Sequence, residues 1–222
     1  SMTQKPLEEE QIQLFFSDIE PLAASKVLVR LENETLSIGQ RILSQGLQLT
    51  VRGQDKIGII GPNGVGKSTL LAKLHQLLSG KREISLGFMP QDYQETLQLD
   101  LSPVEFLSQT GHKEEIQKIQ SHLASLNFSY PEMHHQIHSL SGGQQGKLLL
   151  LNLVLRKANF LLLDEPTRNF SPTSQPEIRK LFANYSGGLV TVSHDRRFLK
   201  EVCTSIYNLT EHGLEVVDLQ DL

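Results

Sequence analysis

Gly61-Pro62-Asn63-Gly64-Val65-Gly66-Lys67-Ser68-Thr69 decides the fold. The stretch fits G-x-x-x-x-G-K-[ST] in the context that gives the pattern meaning. The apolar run Ile57-Gly58-Ile59-Ile60 precedes it, and an apolar helical pattern over residues 67–78 follows. A strand that runs into a glycine-rich turn and then a helix presents inward-facing backbone N–H groups and the partial positive charge of a helix N-terminus. Such a nest holds phosphate. Lys67 is expected to reach the β- and γ-phosphates and Ser68 to place its hydroxyl on Mg2+, with Thr69 nearer the α-phosphate.

Outward from this loop the chain alternates. Residues 27–31, 42–51 and 56–60 read as strands, separated by the turn residues Ser37-Ile38-Gly39-Gln40 and Arg52-Gly53-Gln54-Asp55. Beyond the helix after the loop, a strand is expected at 84–89, then short helices at 103–108, 113–126 and 131–136. Alternation then resumes: helix 143–156, strand 160–163, helix 176–185, strand 189–192 and helix 196–202, with a closing hairpin of 205–210 and 214–217. This is the pattern of an α/β domain with a mainly parallel sheet. Phe160-Leu161-Leu162-Leu163-Asp164-Glu165 adds a second element of the site. Its continuous apolar run suits a central strand buried on both faces, and an acid at the end of such a strand projects into the ligand crevice. Asp164 is expected beside Mg2+. Glu165 is placed to polarise a water in line with the γ-phosphate.

Leu140-Ser141-Gly142-Gly143-Gln144 carries a family resemblance: it is similar to the signature of ATP-binding cassettes, the ABC family. Gln91, in Phe88-Met89-Pro90-Gln91-Asp92, resembles the family's Q-loop glutamine, which senses Mg2+ and the γ-phosphate. His194, in Val192-Ser193-His194-Asp195, resembles its switch histidine. The resemblance runs from about Lys26 to the end of the chain. It implies a P-loop NTPase fold of the ABC type: a mainly parallel core, an N-terminal antiparallel β subdomain and a helical subdomain at about 92–147. It also implies ATP and Mg2+ as ligands, with Glu165, His194 and Gln91 catalytic. The cofactor site would comprise 61–69 and Ser141, Gly142, Gly143 and Gln144, and the metal site Ser68, Gln91 and Asp164. Because the signature lies on the helical insertion, it is expected to serve the nucleotide of a second cassette, in the same polypeptide or in a homodimer. Two positions depart from the pattern. Ser171, in Arg168-Asn169-Phe170-Ser171-Pro172, stands where the family's interface loop carries Asp, and Ile38 stands where an aromatic ring usually stacks on adenine.

Composition narrows the setting. The chain has 222 residues, enough for one large domain, and a formal charge of -4, which argues against holding nucleic acid through overall charge. The single cysteine, Cys203, rules out an internal disulfide and suits a reducing compartment. No apolar run approaches the roughly 20 residues needed to cross a bilayer, so direct membrane insertion is not expected and a cytoplasmic location is. Ser1-Met2 reads as an expression remnant, and residues 1–25, with Glu8-Glu9-Glu10, as the tail of a linker. Among His134, His135 and His138, imidazoles one turn apart would share a helical face, but no Cys or second acidic cluster supports a metal site, so they read as surface histidines.

Three roles fit these residues. Ser193-His194-Asp195-Arg196-Arg197-Phe198-Leu199 and the short insertion resemble the C-terminal cassette of ABC-F proteins. That implies work on the ribosome, as a translation factor or in antibiotic resistance. The alternatives are the ATPase subunit of a membrane transporter and a non-hydrolytic module that dimerises on ATP.

Overall fold

The computed structural model describes Phe16 and residues 18–222. Strand β3 (Lys56–Ile60) runs through the middle of a six-stranded sheet, with β6 (Gly188–Val192) on one side and β7 (Ser205–Thr210) on the other, both parallel to it. The full order is β4-β5-β6-β3-β7-β8, where β4 is Leu86–Met89, β5 Phe160–Asp164 and β8 Gly213–Val217. Only β8 pairs antiparallel. A separate two-stranded antiparallel sheet joins β1 (Val27–Ile38) to β2 (Arg41–Arg52).

The apolar run of β5 is explained by its two faces. Phe160 and Leu162 pack with Ile57, Ile59, Val190 and Val192 against helix α1 (Lys67–Ser79) and the β1–β2 sheet. Leu161 and Leu163 point the other way, into a cluster with helices α5 (Gly142–Leu155), α6 (Gln175–Ala183) and α7 (Arg196–Val202). Side chains alternate across a strand, so a strand covered on both faces is apolar at every position. Leu162 is fully buried, and its truncation to Ala should cost about 2–5 kcal/mol.

Between β4 and α5 lie the short helices α2 (Pro103–Leu107), α3 (Lys113–Ser125) and α4 (Tyr130–His134). Ser102 and Ser129 begin α2 and α4 with reciprocal capping boxes, each completed by a glutamate three residues on and a proline in the first turn. Leu107, Ile119, Leu123, Met133 and Ile137 of this insertion join the core cluster that holds α5. As its sequence indicates, α5 is apolar almost all round, and Leu148 to Leu151, Leu153 and Val154 are buried.

The elements agree with the sequence reading to within a few residues, except at the first hairpin. There β1 continues to Ile38, leaving only Gly39-Gln40 as the turn, because Gly39 takes φ +59 and lets the strands reverse in two residues. Helix α5 is continuous through residue 147, so the subdomain boundary drawn there crosses a helix. Residues 1–15 and 17 of the stretch read as linker lie outside the described residues. Phe16 and Ile19, within that stretch, are buried in the core, and the Phe16 ring meets Phe182 and Tyr185 edge-on.

Candidate nucleotide site

Three adjacent parallel strands, β5, β6 and β3, deliver the site at their C-terminal ends. β3 runs into the glycine-rich loop, β6 into Ser193-His194-Asp195, and β5 ends in Asp164 with Glu165 following. That end of a parallel sheet is where α/β domains bind ligands.

Gly61, Gly64 and Gly66 adopt φ of +151°, +86° and +99°, which L side chains rarely tolerate. At Gly61 a Cβ would also lie 2.6 Å from the Leu209 carbonyl oxygen. Gly66 leads directly into α1, so Lys67 and Ser68 occupy its first turn. Lys67 is buried, its ammonium donates to the Gly61 carbonyl, and its Nζ lies 3.3 Å from His194 Nε2. Burial pushes the Lys67 pKa down, and Glu165 and Asp164 oppose the shift. Ser68 Oγ donates to Asp164 Oδ2 at 2.9 Å. Burial raises the Asp164 pKa, against the Ser68 hydrogen bond and the charges of Lys67 and Arg168.

Glu165 sits at a turn in the backbone. Its N–H still donates to Val192 O at 2.8 Å, extending the ladder with β6, while its φ of +50° is left-handed. This conformation costs a non-glycine residue on the order of 1 kcal/mol or more. The bend leaves the carboxylate beside His194: the His194 N–H donates to Oε2 at 3.2 Å, and Nε2 lies 3.5 Å from Oε1. A neutral Nε2 accepts from Lys67; a protonated one pairs with Glu165.

These groups line a cleft of about 670 Å³ together with Asn63, Gly64, Gly66 and Thr69. Ile38, Arg41, Leu43, Gln91 and Arg168 also line it. Ile38 is 62% exposed. Gln91, Ser68, Asp164 and Arg168 also border a second cleft of about 1470 Å³, which extends to Gly142 and Asn169. Pro62 is exposed at the loop tip, whereas Val65 packs against the core.

Ser68 and Asp164 bring two hard oxygen donors together. Mg2+ takes few protein oxygens and completes its shell with water and phosphate, so this donor set fits it. Among the described residues no group of three or more His, Cys, Asp or Glu could hold a metal, and His134 instead bonds Gln120.

Ser141 and Gly142 are exposed at the start of α5. Gln144 is engaged within its own chain: its N–H donates to Ser141 Oγ at 3.2 Å, its Oε1 accepts from Ser141 N, and its Nε2 donates to Glu132. The glutamine thus shapes the helix start, and one of its two amide N–H donors is committed to Glu132. Among the described residues no hydrogen bond joins the signature turn to the glycine-rich loop. Ser171 donates to Ser174 Oγ at 3.1 Å and accepts from Ser174 N, a local turn that leads into α6.

Three residues escaped the sequence reading. Arg41 and Arg168 reach the cleft, and the Asp195 carboxylate joins Thr167 to the start of α7. The signal for Asp195 was present, since an Asp immediately before a helix is an N-cap. Nothing in one sequence points to Thr167 as its second partner.

A cleft made by a glycine-rich phosphate nest, a buried acid and a strand-end histidine defines a P-loop nucleotide-binding domain. The family model described as ABC transporter matches residues 44–168, from β2 through the turn after Glu165, and the chain belongs to that family; it is a P-loop ATPase domain. Among curated relatives, the chain is 30% identical over 210 residues to "Probable ATP-binding protein YheS" of Escherichia coli K12, covering 91% of this chain and 33% of the relative. It is 32% identical over 220 residues to "Putative ATP-binding protein YdiF" of Bacillus subtilis, covering 95% and 34%. "ABC transporter F family member 2" of Arabidopsis thaliana is 26% identical over 221 residues, covering 96% and 32%. The chain therefore spans about a third of the length of these relatives. The fold resembles the ATP-binding cassette MJ0796 in a dimeric post-hydrolysis state bound to ADP and Pi, with TM-score 0.70, 20% identity and coverage of 86% and 98%. It also resembles a bacterial Atm1-family ABC exporter with ATP bound, with TM-score 0.71, 16% identity and coverage of 92% and 41%. No helix among the described residues is long and apolar enough to cross a membrane.

Proposed function

We propose that this domain hydrolyses Mg-ATP as one half of a head-to-tail pair of cassettes, within a longer protein of the F class that works on the ribosome as a translation or antibiotic-resistance factor. The observation that carries the chemistry is the meeting of Ser68 and Asp164 at 2.9 Å beside the buried Lys67. Bound there, Mg2+ would neutralise phosphate charge and polarise the terminal phosphoryl group.

The chain's own groups do the rest. The loop amides and Lys67 hold the phosphates, and Glu165 takes a proton from the attacking water. His194, fixed against Glu165, donates toward the γ-phosphate, and Gln91 lines the same space. Ser141 and the exposed start of α5 would meet a partner's nucleotide, which suits a helix N-terminus free of contacts to its own glycine-rich loop. The 193–199 run and relatives named as F family members, of whose length this chain spans about a third, support the F class, and the ribosomal setting is inferred from that class.

The test uses the full-length protein. Wild type should release phosphate, while Glu165→Gln should bind ATP without turnover and co-sediment with ribosomes in an ATP-dependent way. Absence of phosphate release from the full-length protein sinks the hydrolysis reading. Absence of ribosome binding by the ATP-bound Glu165→Gln form sinks the ribosomal one.

A further inference from the structure

The two residues proposed for chemistry, Glu165 and His194, sit on separate loops after β5 and β6. The sheet ladder and the His194 N–H bond to Glu165 join them directly, and a second link lies beyond the sheet. Thr167, two residues after Glu165, is 3% exposed and lines neither cleft. Its hydroxyl donates to Asp195 Oδ2 at 2.9 Å. The other Asp195 oxygen accepts from Phe198 N at 3.1 Å and caps α7, and the Asp195 N–H donates to Ser193 Oγ at 2.9 Å. Capping α7 uses only one carboxylate oxygen; the second is committed across 28 residues to the loop that carries Glu165.

With the His194 N–H donating to Glu165 Oε2, these bonds close a ring: Glu165, Pro166, Thr167, Asp195, His194 and back to Glu165. Pro166 is buried and stiffens the shortest side of the ring. We propose that Thr167 and Asp195 are positioning residues that set the distance between Glu165 and His194, making the two loops one rigid unit anchored on α7. The inference rests on the catalytic reading of that pair. It adds a pair of residues outside the nucleotide cleft that controls turnover without controlling nucleotide affinity.

The experiment compares Thr167→Val, which keeps the shape and removes the donor, with Thr167→Ser, which keeps the donor. Turnover, ATP affinity and amide exchange over residues 192–196 with ATP bound are measured for each. Misplacing a reacting group by about 1 Å costs on the order of 100-fold. Thr167→Val should therefore lower kcat about 10- to 100-fold with KM within about twofold, and raise exchange at His194 about tenfold while β5 and β6 amides keep their rates. Thr167→Ser should behave as wild type. Combined with Asp195→Ala, Thr167→Val should cost less than the product of the two single losses, since both remove the same bond.

Equal losses in Val and Ser variants overturn the proposal. So does unchanged exchange at His194, or exchange that rises in step with β5 and β6. If Glu165→Gln turns over like wild type, the catalytic reading fails instead, and exchange at His194 still decides whether the clamp exists.

Discussion

Ser68 Oγ and Asp164 Oδ2, 96 residues apart in sequence, meet at 2.9 Å and tie the first turn of α1 to the end of β5. The two halves of the proposed metal site are thus in register. Ser68→Ala removes one oxygen donor and leaves Asp164, 7% exposed, without its hydroxyl partner. ATP affinity in the presence of Mg2+ should fall about 10- to 100-fold, the range seen when groups around a metal are removed. Affinity in EDTA should change far less. Titration of a fluorescent ATP analogue under both conditions checks this; equal losses would place the metal elsewhere.

Glu165, the proposed base, also carries backbone strain, since it holds φ +50°. Glu165→Gln keeps the hydrogen bond from His194 N but cannot take a proton, so phosphate release should fall about 10²- to 10³-fold at unchanged ATP affinity. Stability separates two inactive variants. Glu165→Gly relieves a conformation that Glu165→Ala retains, so the glycine form should resist urea better than the alanine form, by about 1 kcal/mol.

The legible part of this protein is the part whose chemistry is local. Gly61 to Ser68 declare themselves because glycine alone tolerates those φ angles, and because strand, turn and helix follow within a dozen residues. Phe160 to Leu163 declare a doubly covered strand because both faces must be apolar. The Asp195 link to Thr167 was hidden because a carboxylate has two oxygens and the sequence explains only one, through the α7 cap. Gln144 has a role that its place in the signature does not announce: its amide closes a capping box and bonds Glu132. Phe16 was hidden by acidic neighbours, although its ring docks on Phe182 and Tyr185.

Glu115 holds the connection between α2 and α3. Its carboxylate accepts from the Ser108 hydroxyl and from the N–H groups of Gln109, Thr110 and Gly111, and these bonds bring its pKa down to about 2. A carboxyl whose folded pKa lies below the unfolded value of 4.5 stabilises the fold above pH 4.5 and loses that contribution as pH falls toward 2. Glu115→Gln should lower Tm by a few degrees at pH 7, and the gap to wild type should narrow between pH 4.5 and pH 2. Thermal melts across that range read it. A gap that stays constant with pH would mean the glutamine lost packing, not charge.

In the nucleotide cleft, Ile38 faces Arg41 across the two-residue turn of the β1–β2 hairpin, and both line the space that holds the phosphate nest. An adenine there would meet an aliphatic side chain and a guanidinium. Because Ile38 is 62% exposed, a larger side chain can replace it without displacing core residues. Ile38→Tyr adds a ring face for the base, and aromatic stacking contributes about 0.5–1.5 kcal/mol beyond burial, so ATP affinity should tighten about two- to tenfold. Inorganic tripolyphosphate, which has the phosphates and no base, controls for changes in the nest. Its ability to compete should be the same for Ile38→Tyr and wild type. If both ligands tighten together, the substitution has acted on the loop. If neither changes, the base lies away from Ile38.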